Sequence, residues 1–315
     1  MVAKVVFLGT PRFGVPVLEA LVEYHEVVGV VTQPDRVSGR GRRRHAPPIK
    51  RVAQAYNLQI LQPADLRRDE ETVQALREMR ADVFVIAAYG QILRPEVLEI
   101  PPHGCIGVHA SLLPKYRGAA PIAAAILHGE EETGVTLMLT DEGMDTGPII
   151  AQRSIPIAPD DTRQALTNKL AHLGAELLIE TLPAWLDGEI EPRPQDDDEA
   201  TMAPLIDKSD GAIDWGETAA QIDRQIRAFT PWPGSFCTCE GRNFKIIRAH
   251  PLSDWHGEEE PGTVVEVEEG IGVVTGKGLL ILEEVQLAGR RAMEMEQFCR
   301  GRRDFVESVL ESPDE

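Results

Sequence analysis

Cysteine is scarce: four residues in 315, Cys105, Cys237, Cys239 and Cys299. They are too few and too scattered for a disulfide framework, and Cys237-x-Cys239 lacks the spacing and the second pair of a zinc site. A reducing, cytoplasmic setting is expected. No apolar run approaches the ~18 residues that a membrane helix needs. The N-terminal MVAKVVFLGTPRFG enters a β-rich run at once, without an apolar segment and cleavage site. A protein neither secreted nor membrane-spanning is therefore expected. The dinucleotide fingerprint is also missing, since Gly9 and Gly14 do not make G-x-G-x-x-G and no acidic residue ends the second strand. GTPRFGVP lacks the Lys-Ser/Thr that closes a phosphate loop. Positive charge is in deficit, with 32 Lys and Arg against 51 Asp and Glu and a net charge of −19. That balance argues against bulk binding to a polyanion.

What is present describes a globular chain, 43% hydrophobic and 26% charged. Its length favours two domains. Lys4 to Gly9, Glu26 to Thr32 and Asp82 to Ala88 are short apolar runs, and the first two flank a helix with Val15, Leu18, Leu21 and Val22 on one side. Uninterrupted apolar strands separated by helices read as βαβ units in a parallel-rich sheet covered on both faces, an α/β fold. Helices are expected from Pro48 to Tyr56, from Glu70 to Arg80, and from Thr162 to Asp187 with a leucine stripe. Residues 189–210 are acidic, proline-containing and poorly periodic, and read as a linker between a domain at 1–188 and another at 211–315. After a helix from Glu217 to Ala228, five short runs suggest a small β-barrel. Met293, Met295, Phe298 and Phe305 read as core.

Local charge departs from the average in one place. Between Arg36 and Arg51 lie seven Lys or Arg and no acidic residue. Glycines and a serine among the arginines suggest a loop, which projects from the end of the second strand. The plainer reading is a solvated surface loop; the sharper one is phosphate capture, since guanidinium forks pair bidentately with phosphate. A second cluster, Arg290, Arg291, Arg300, Arg302 and Arg303, reads equally as an RNA contact or a solvated face.

The stretch from Gly104 to Ile150 carries the chemistry. A strand-like Cys105 to Val108 ends at His109, then come the turn Ser111-Leu112-Leu113-Pro114, a helical run from Ala119 to Leu127 and a strand from Gly134 to Leu139. The loop after it holds Asp145. An imidazole and a carboxylate so placed can meet at the carboxyl edge of a parallel sheet, where open α/β folds do chemistry.

VHASLLPKYRGAAPI followed by DEGMDTGPI resembles the core of the folate-dependent formyltransferases. The likeness runs over nearly the whole chain, including ATMAPLIDKSDGAIDW in the linker. It implies a Rossmann-like formyltransferase domain and a smaller oligonucleotide-binding-type barrel that binds tRNA. It also implies 10-formyltetrahydrofolate as co-substrate and no metal. A monomer is expected. Gly39-Arg40-Gly41 matches an insertion of those members that formylate initiator methionyl-tRNA for translation initiation, so Arg36, Arg40, Arg42, Arg43 and Arg44 are expected to engage the acceptor stem. By the same resemblance Ala88, Tyr89, Gly90 and Gln91 line the pterin pocket, largely through backbone, and Ser111, Leu112, Leu113 and Pro114 contact the folate. His109 is expected to donate to the formyl oxygen and Asp145 to orient it and help accept a proton.

One position departs from the pattern. The family usually has Asn-x-His where this chain has Gly107-Val108-His109. Losing one oxyanion donor typically costs ~10² to 10³ in rate. A backbone N–H or water could replace the amide, the Gln91 side chain could substitute, or the chain is a catalytically weak relative that binds tRNA and folate. Within enzymes, the rivals are a formyltransferase acting on a small amine and a 10-formyltetrahydrofolate hydrolase.

Overall fold

The structure is a computed structural model that describes residues 2–38, 43–302 and 304–313. The chain divides into two compact units. One comprises Met1–Pro121, Glu132–Pro156 and Thr167–Ala203; the other comprises Ile122–Glu131, Ile157–Leu166 and Pro204–Glu315.

The first unit is built on a seven-stranded sheet. Its strands are β1 (Lys4–Gly9), β2 (Glu26–Val31), β3 (Ile60–Leu61), β4 (Val83–Ala87), β5 (Cys105–His109), β6 (Glu132–Leu139) and β7 (Ile149–Pro156). They lie in the order β7-β6-β5-β4-β1-β2-β3. β3, β2, β1, β4 and β5 run parallel. β6 and β7 form an antiparallel pair added beside β5. The parallel strands are apolar and buried, because helices cover both faces.

Helix α1 (Gly14–Tyr24) buries Gly14, Val17, Leu18 and Leu21, so its inward face centres on Val17 rather than on Val15 and Val22. It packs beside α2 (Pro48–Ala55) on the Phe7 face of the sheet: a β-carbon built on Gly14 would lie 3.0 Å from the Phe7 ring and 3.3 Å from Ile49 Cδ1. On the opposite face sits α3 (Glu70–Glu78), started by Asp69, whose carboxylate accepts from Thr72 N–H at 2.9 Å. Its Val73 and Leu76 join Val6, Leu8, Phe84 and Tyr89 in one core cluster. A short helix, α4 (Pro121–Leu127), precedes β6, and the long α5 (Arg163–Leu186) follows β7. At Gly174, α5 approaches the Val108 and Val135 side chains so closely that a β-carbon would lie 2.9 Å from Val108. Side chains alternate along a strand, so α5 covers the face opposite His109.

In the second unit, helix α6 (Ala219–Phe229) begins with a Thr218/Gln221 capping box. Strands β8 (Ser235–Cys239), β9 (Arg242–Leu252), β10 (Val264–Val267), β11 (Gly270–Val274) and β12 (Leu279–Leu287) form an antiparallel sheet in the order β8-β9-β12-β11-β10, with β13 (Met293–Glu294) paired to β12. The C-terminal segment then bonds to both edges. Glu311 exchanges hydrogen bonds with Thr238 on β8, and Val264 N–H on β10 donates to Ser308 O. Tying the two edges together gives the barrel-like closure that removes exposed edges. Phe244, Phe298 and Phe305 stack in its core, with Met295 of α7 (Met295–Arg300). Among the described residues no helix is long and apolar enough to cross a membrane.

Candidate active site

The site is assembled on β5, on the face that carries the alternate residues Gly107 and His109. His109 is nearly buried, and its two ring nitrogens have separate partners. Nε2 lies 2.9 Å from Tyr116 O, and Nδ1 lies 3.5 Å from Asp145 Oδ2. A carbonyl oxygen can only accept, so this contact assigns the N–H to Nε2 and leaves Nδ1 facing the carboxylate. At 3.5 Å the Nδ1 contact is an ion-pair distance, longer than a formed hydrogen bond.

Asp145 reaches His109 by a route that the order of elements does not reveal. β6 runs antiparallel to β5, so its carboxyl end lies beside the start of β5, where Thr140 N–H donates to Cys105 O at 2.7 Å. The two residues therefore do not sit on successive loops at one carboxyl edge of parallel strands, as expected from sequence. The loop 141–147 folds back instead. Asp141 accepts from Gly143 N–H at 3.0 Å and from Thr146 Oγ1 at 2.8 Å. At Gly147 the loop crosses Leu139 O so closely that a β-carbon would lie 1.8 Å away, which only glycine permits. Asp145 itself adopts φ 56°, a left-handed conformation that Asp and Asn tolerate. Its Oδ2 accepts from Gly118 N–H at 2.8 Å, which fixes the carboxylate toward the ring.

Residues 193–203 complete this support, a role that sequence reasoning missed. Gln195 Nε2 donates to Asp145 O at 2.8 Å and to Gly147 O at 2.7 Å. Its Oε1 accepts from Arg117 Nε at 3.0 Å, and Arg117 also pairs with Asp197 at 2.8 Å. Met202–Ala203 pairs in parallel with Arg117–Gly118, and Tyr116 N–H donates to Thr201 Oγ1 at 2.9 Å. Buried Arg117 thus anchors the segment rather than facing a substrate. The sequence offered no signal for it beyond a lone glutamine in an acidic, proline-containing stretch.

The expected folate residues divide into scaffold and surface. Ser111 is fully buried and its hydroxyl donates to Lys115 O at 2.6 Å. Leu113 packs with Met138 and Ile149, and Leu112 and Pro114 are half-buried in the same turn. Thr136 ties the turn to β6, accepting from Leu113 N–H at 3.0 Å and donating to Ser111 O at 2.7 Å. After β4, Ala88 (φ 52°) and Gly90 (φ 80°) are exposed on either side of Tyr89, whose ring lies in the core. Burial, with Asp65 and Asp69 nearby, pushes the Tyr89 phenol well above its ordinary value. Gln33 Nε2 donates to Tyr89 O at 3.0 Å and to Gly90 O at 3.2 Å. Gln91 is not the substitute for the missing amide: its Oε1 accepts from Leu66 N–H at 2.8 Å, and its Nε2 faces Pro63 O and Ala64 O.

The basic segment is more regular than a loop. Arg36–Ser38 and Arg43–His45 form an antiparallel pair, with Val37 opposite Arg44. Arg36 donates to Gln33 Oε1, which links the ladder to the Tyr89–Gly90 backbone. At its base Lys50 pairs with Asp35 at 2.7 Å, and the bonds from Lys50 and Gln62 hold the Asp35 carboxyl below its usual range. Arg40 and Arg42 lie outside the described residues, as does the Arg43 side chain. In the second cluster, Arg302 pairs with Glu240 and Arg300 with Glu296, while Arg303 lies outside the described residues.

Residues 3–182 match the family described as formyl transferase, and residues 205–303 match formyl transferase, C-terminal domain. The chain belongs to the formyl transferase family. Methionyl-tRNA formyltransferase of Roseiflexus castenholzii is 48% identical over 303 residues, covering 96% of each chain. The protein of that name from a Synechococcus species is 50% identical over 298 residues, covering 91% of this chain and 92% of its own. Among solved structures, an N-formyltransferase from Helicobacter canadensis in complex with folinic acid and dTDP-3-aminofucose superposes with a TM-score of 0.67 at 22% identity, covering 90% of this chain and 98% of that one. HypX from Aquifex aeolicus with tetrahydrofolic acid gives 0.65 at 19% identity, covering all of this chain and 49% of that one. These two establish the shared fold.

Proposed function

We propose that this formyltransferase moves the formyl group of 10-formyltetrahydrofolate to the α-amine of initiator methionyl-tRNA, as a cytoplasmic monomer. On this reading residues 1–188 carry the chemistry, 189–210 link the two parts, and 211–315 bind tRNA. The observation that carries it is the similarity to proteins named for that reaction, 48% identity over 96% of both chains, spanning the barrel-like unit as well as the sheet.

The folate would supply an activated formyl group at nitrogen. The residues fit such a donor: exposed Ala88 and Gly90 present backbone groups beside β5, next to the turn at Ser111–Pro114. Acyl transfer to an amine needs a station for the amine's proton and a donor for the carbonyl oxygen. Asp145 and His109 Nδ1 make the first. The carboxylate is held by Gly118 N–H, with Gln195 holding the Asp145 backbone carbonyl, and can take the proton directly or share it with the ring. Arg36 and Arg44, with Arg40, Arg42 and Arg43 between them, supply the cations for a phosphate backbone.

The test is formation of N-formylmethionine by the purified chain from 10-formyltetrahydrofolate and methionyl initiator tRNA. Product well above the enzyme-free background is expected. A folded sample that binds tRNA yet gives none would overturn the proposal in favour of a silent relative.

A further inference from the structure

The second service, a donor for the oxygen, has no evident provider. His109 Nε2–H is committed to Tyr116 O, Gly107 has no side chain, and the Gln91 amide is engaged elsewhere. We infer that the Thr140 hydroxyl is the oxyanion donor of this enzyme, placed where a side chain at position 107 would otherwise act. The inference rests on the formyl-transfer reading.

Three observations converge on it. A β-carbon built on Gly107 would lie 3.1 Å from Thr140 Oγ1, with Met138 Cε at 3.0 Å. Gly107 pairs with Met138 and His109 with Thr136 across the β5–β6 ladder. Because side chains alternate, Gly107, His109, Thr136, Met138 and Thr140 share one face. Thr136 is already bound into the Ser111–Leu113 turn and Gln152. Thr140 Oγ1 is buried and has no hydrogen-bond partner among the described residues. A buried hydroxyl left unpaired costs stability, and such orphans call for a functional explanation. This one adjoins Gly107, two residues before His109 on the same face, so its proton can be aimed at an oxygen developing charge there.

In the step itself, the amine nitrogen adds to the formyl carbon and the carbonyl pair moves onto oxygen, where the Thr140 O–H donates to it. The amine's proton goes to the His109–Asp145 pair. As the oxygen's pair returns, the bond to the donor nitrogen breaks and that nitrogen takes up the proton held by the His109–Asp145 pair, which restores the pair. Thr140 is neither consumed nor ionised.

Stability and activity should therefore part company. Thr140→Val keeps the shape and deletes the orphan hydroxyl, so its Tm should stay level or rise while kcat falls ~10²-fold or more with little change in either KM. Thr140→Ser, which keeps the hydroxyl, should retain at least ~10-fold more activity than Thr140→Val. Gly107→Asn in the Thr140→Ala background, where the space beside position 107 has been vacated, should recover much of the loss. A direct reading comes from the infrared stretch of a ¹³C-labelled formyl group on bound 10-formyl-5,8-dideazafolate, which should shift to higher frequency in Thr140→Val. Retained kcat in folded Thr140→Val, or an unmoved formyl stretch, would overturn the inference while leaving the function intact. Failure of the wild-type chain to bind the analogue would strike the functional proposal and this inference with it.

Discussion

Replacing Asp145 by asparagine tests the site with little damage to the fold. Asparagine tolerates the left-handed φ of 56° at this position as well as aspartate does. Its amide oxygen can still accept from Gly118 N–H, so the loop keeps its anchor at the 2.8 Å contact. What disappears is the negative charge 3.5 Å from His109 Nδ1 and the group that can hold the amine's proton. At that separation the interaction with a protonated ring is about 1 kcal/mol in water and about 5 kcal/mol at an effective dielectric near 20. His109 is 10% exposed and Asp145 21%, which places the pair nearer the second figure. The charge and the proton acceptor are the same carboxylate, so the two effects overlap rather than add; a lost general base is worth ~10² to 10⁴ in rate, and kcat should fall ~10³-fold.

The assay is steady-state formylation with both KM values measured, alongside thermal unfolding. The expected pattern is a collapse of kcat, KM values for both substrates within about threefold, and a Tm within a few degrees of wild type. A kcat within tenfold of wild type in a folded variant would refute the assignment of Asp145 as proton station. A large Tm loss accompanied by a proportionate loss of bound folate would show instead that the carboxylate is structural.

Three further expectations concern other parts of the chain. Gln195→Ala removes two hydrogen bonds to the Asp145 loop, worth about 1–3 kcal/mol together; kcat should fall ~10-fold as the competent loop loses population, and an unchanged kcat would show that the loop holds itself. Arg40→Ala with Arg42→Ala should weaken methionyl-tRNA use, spare folate affinity and flatten log K against log salt by roughly 0.7–0.9 per lost phosphate contact; an unaltered slope would remove these arginines from the interface. His25 is held below the ordinary imidazole value of 6.5, by burial first and the N-terminal charge second, and its Nδ1 accepts from Ala3 N–H at 3.3 Å. A depressed value means the folded state favours the neutral ring, so this contribution is intact above pH 6.5 and lost as pH falls below it. The decline in Tm on acidification should be shallower in His25→Gln, and parallel curves would contradict it.

Much of the fold was legible because its strands are written as unbroken apolar runs. Lys4–Gly9, Val83–Ala87 and Cys105–His109 lie where those runs lie, since a strand covered on both faces can carry little else. Strand direction was not legible. Gly134-Val135-Thr136-Leu137 reads the same whether it runs with β5 or against it, and only the partner registers decide that His109 faces Thr136 and Gly107 faces Met138. The helix face of α1 was off by a fraction of a turn because Val15 and Val22 compete with Val17 for the inward side, and packing on Phe7 and Ile49 settles the contest.

The site divides along the same line. His109 and Asp145 could be named from sequence because the chemistry of each side chain and its motif are local. Gln195, Thr201 and Thr140 could not, because nothing about an isolated glutamine or threonine indicates what the folded chain brings against it. Gln195 matters only because the antiparallel turn of β6 forces the loop 141–147 to double back, which leaves the carbonyls of Asp145 and Gly147 in need of a donor. Thr140 stands out for the inverse reason. The same turn delivers its hydroxyl beside a glycine, where nothing among the described residues accepts or donates to it. One reversal of strand direction thus accounts for the supported carboxylate and the unsupported hydroxyl. Among the described residues, the Tyr89 hydroxyl is also buried and unpaired, but Thr140 Oγ1 is the unpaired hydroxyl that adjoins Gly107, and that position is what fits it to meet a substrate.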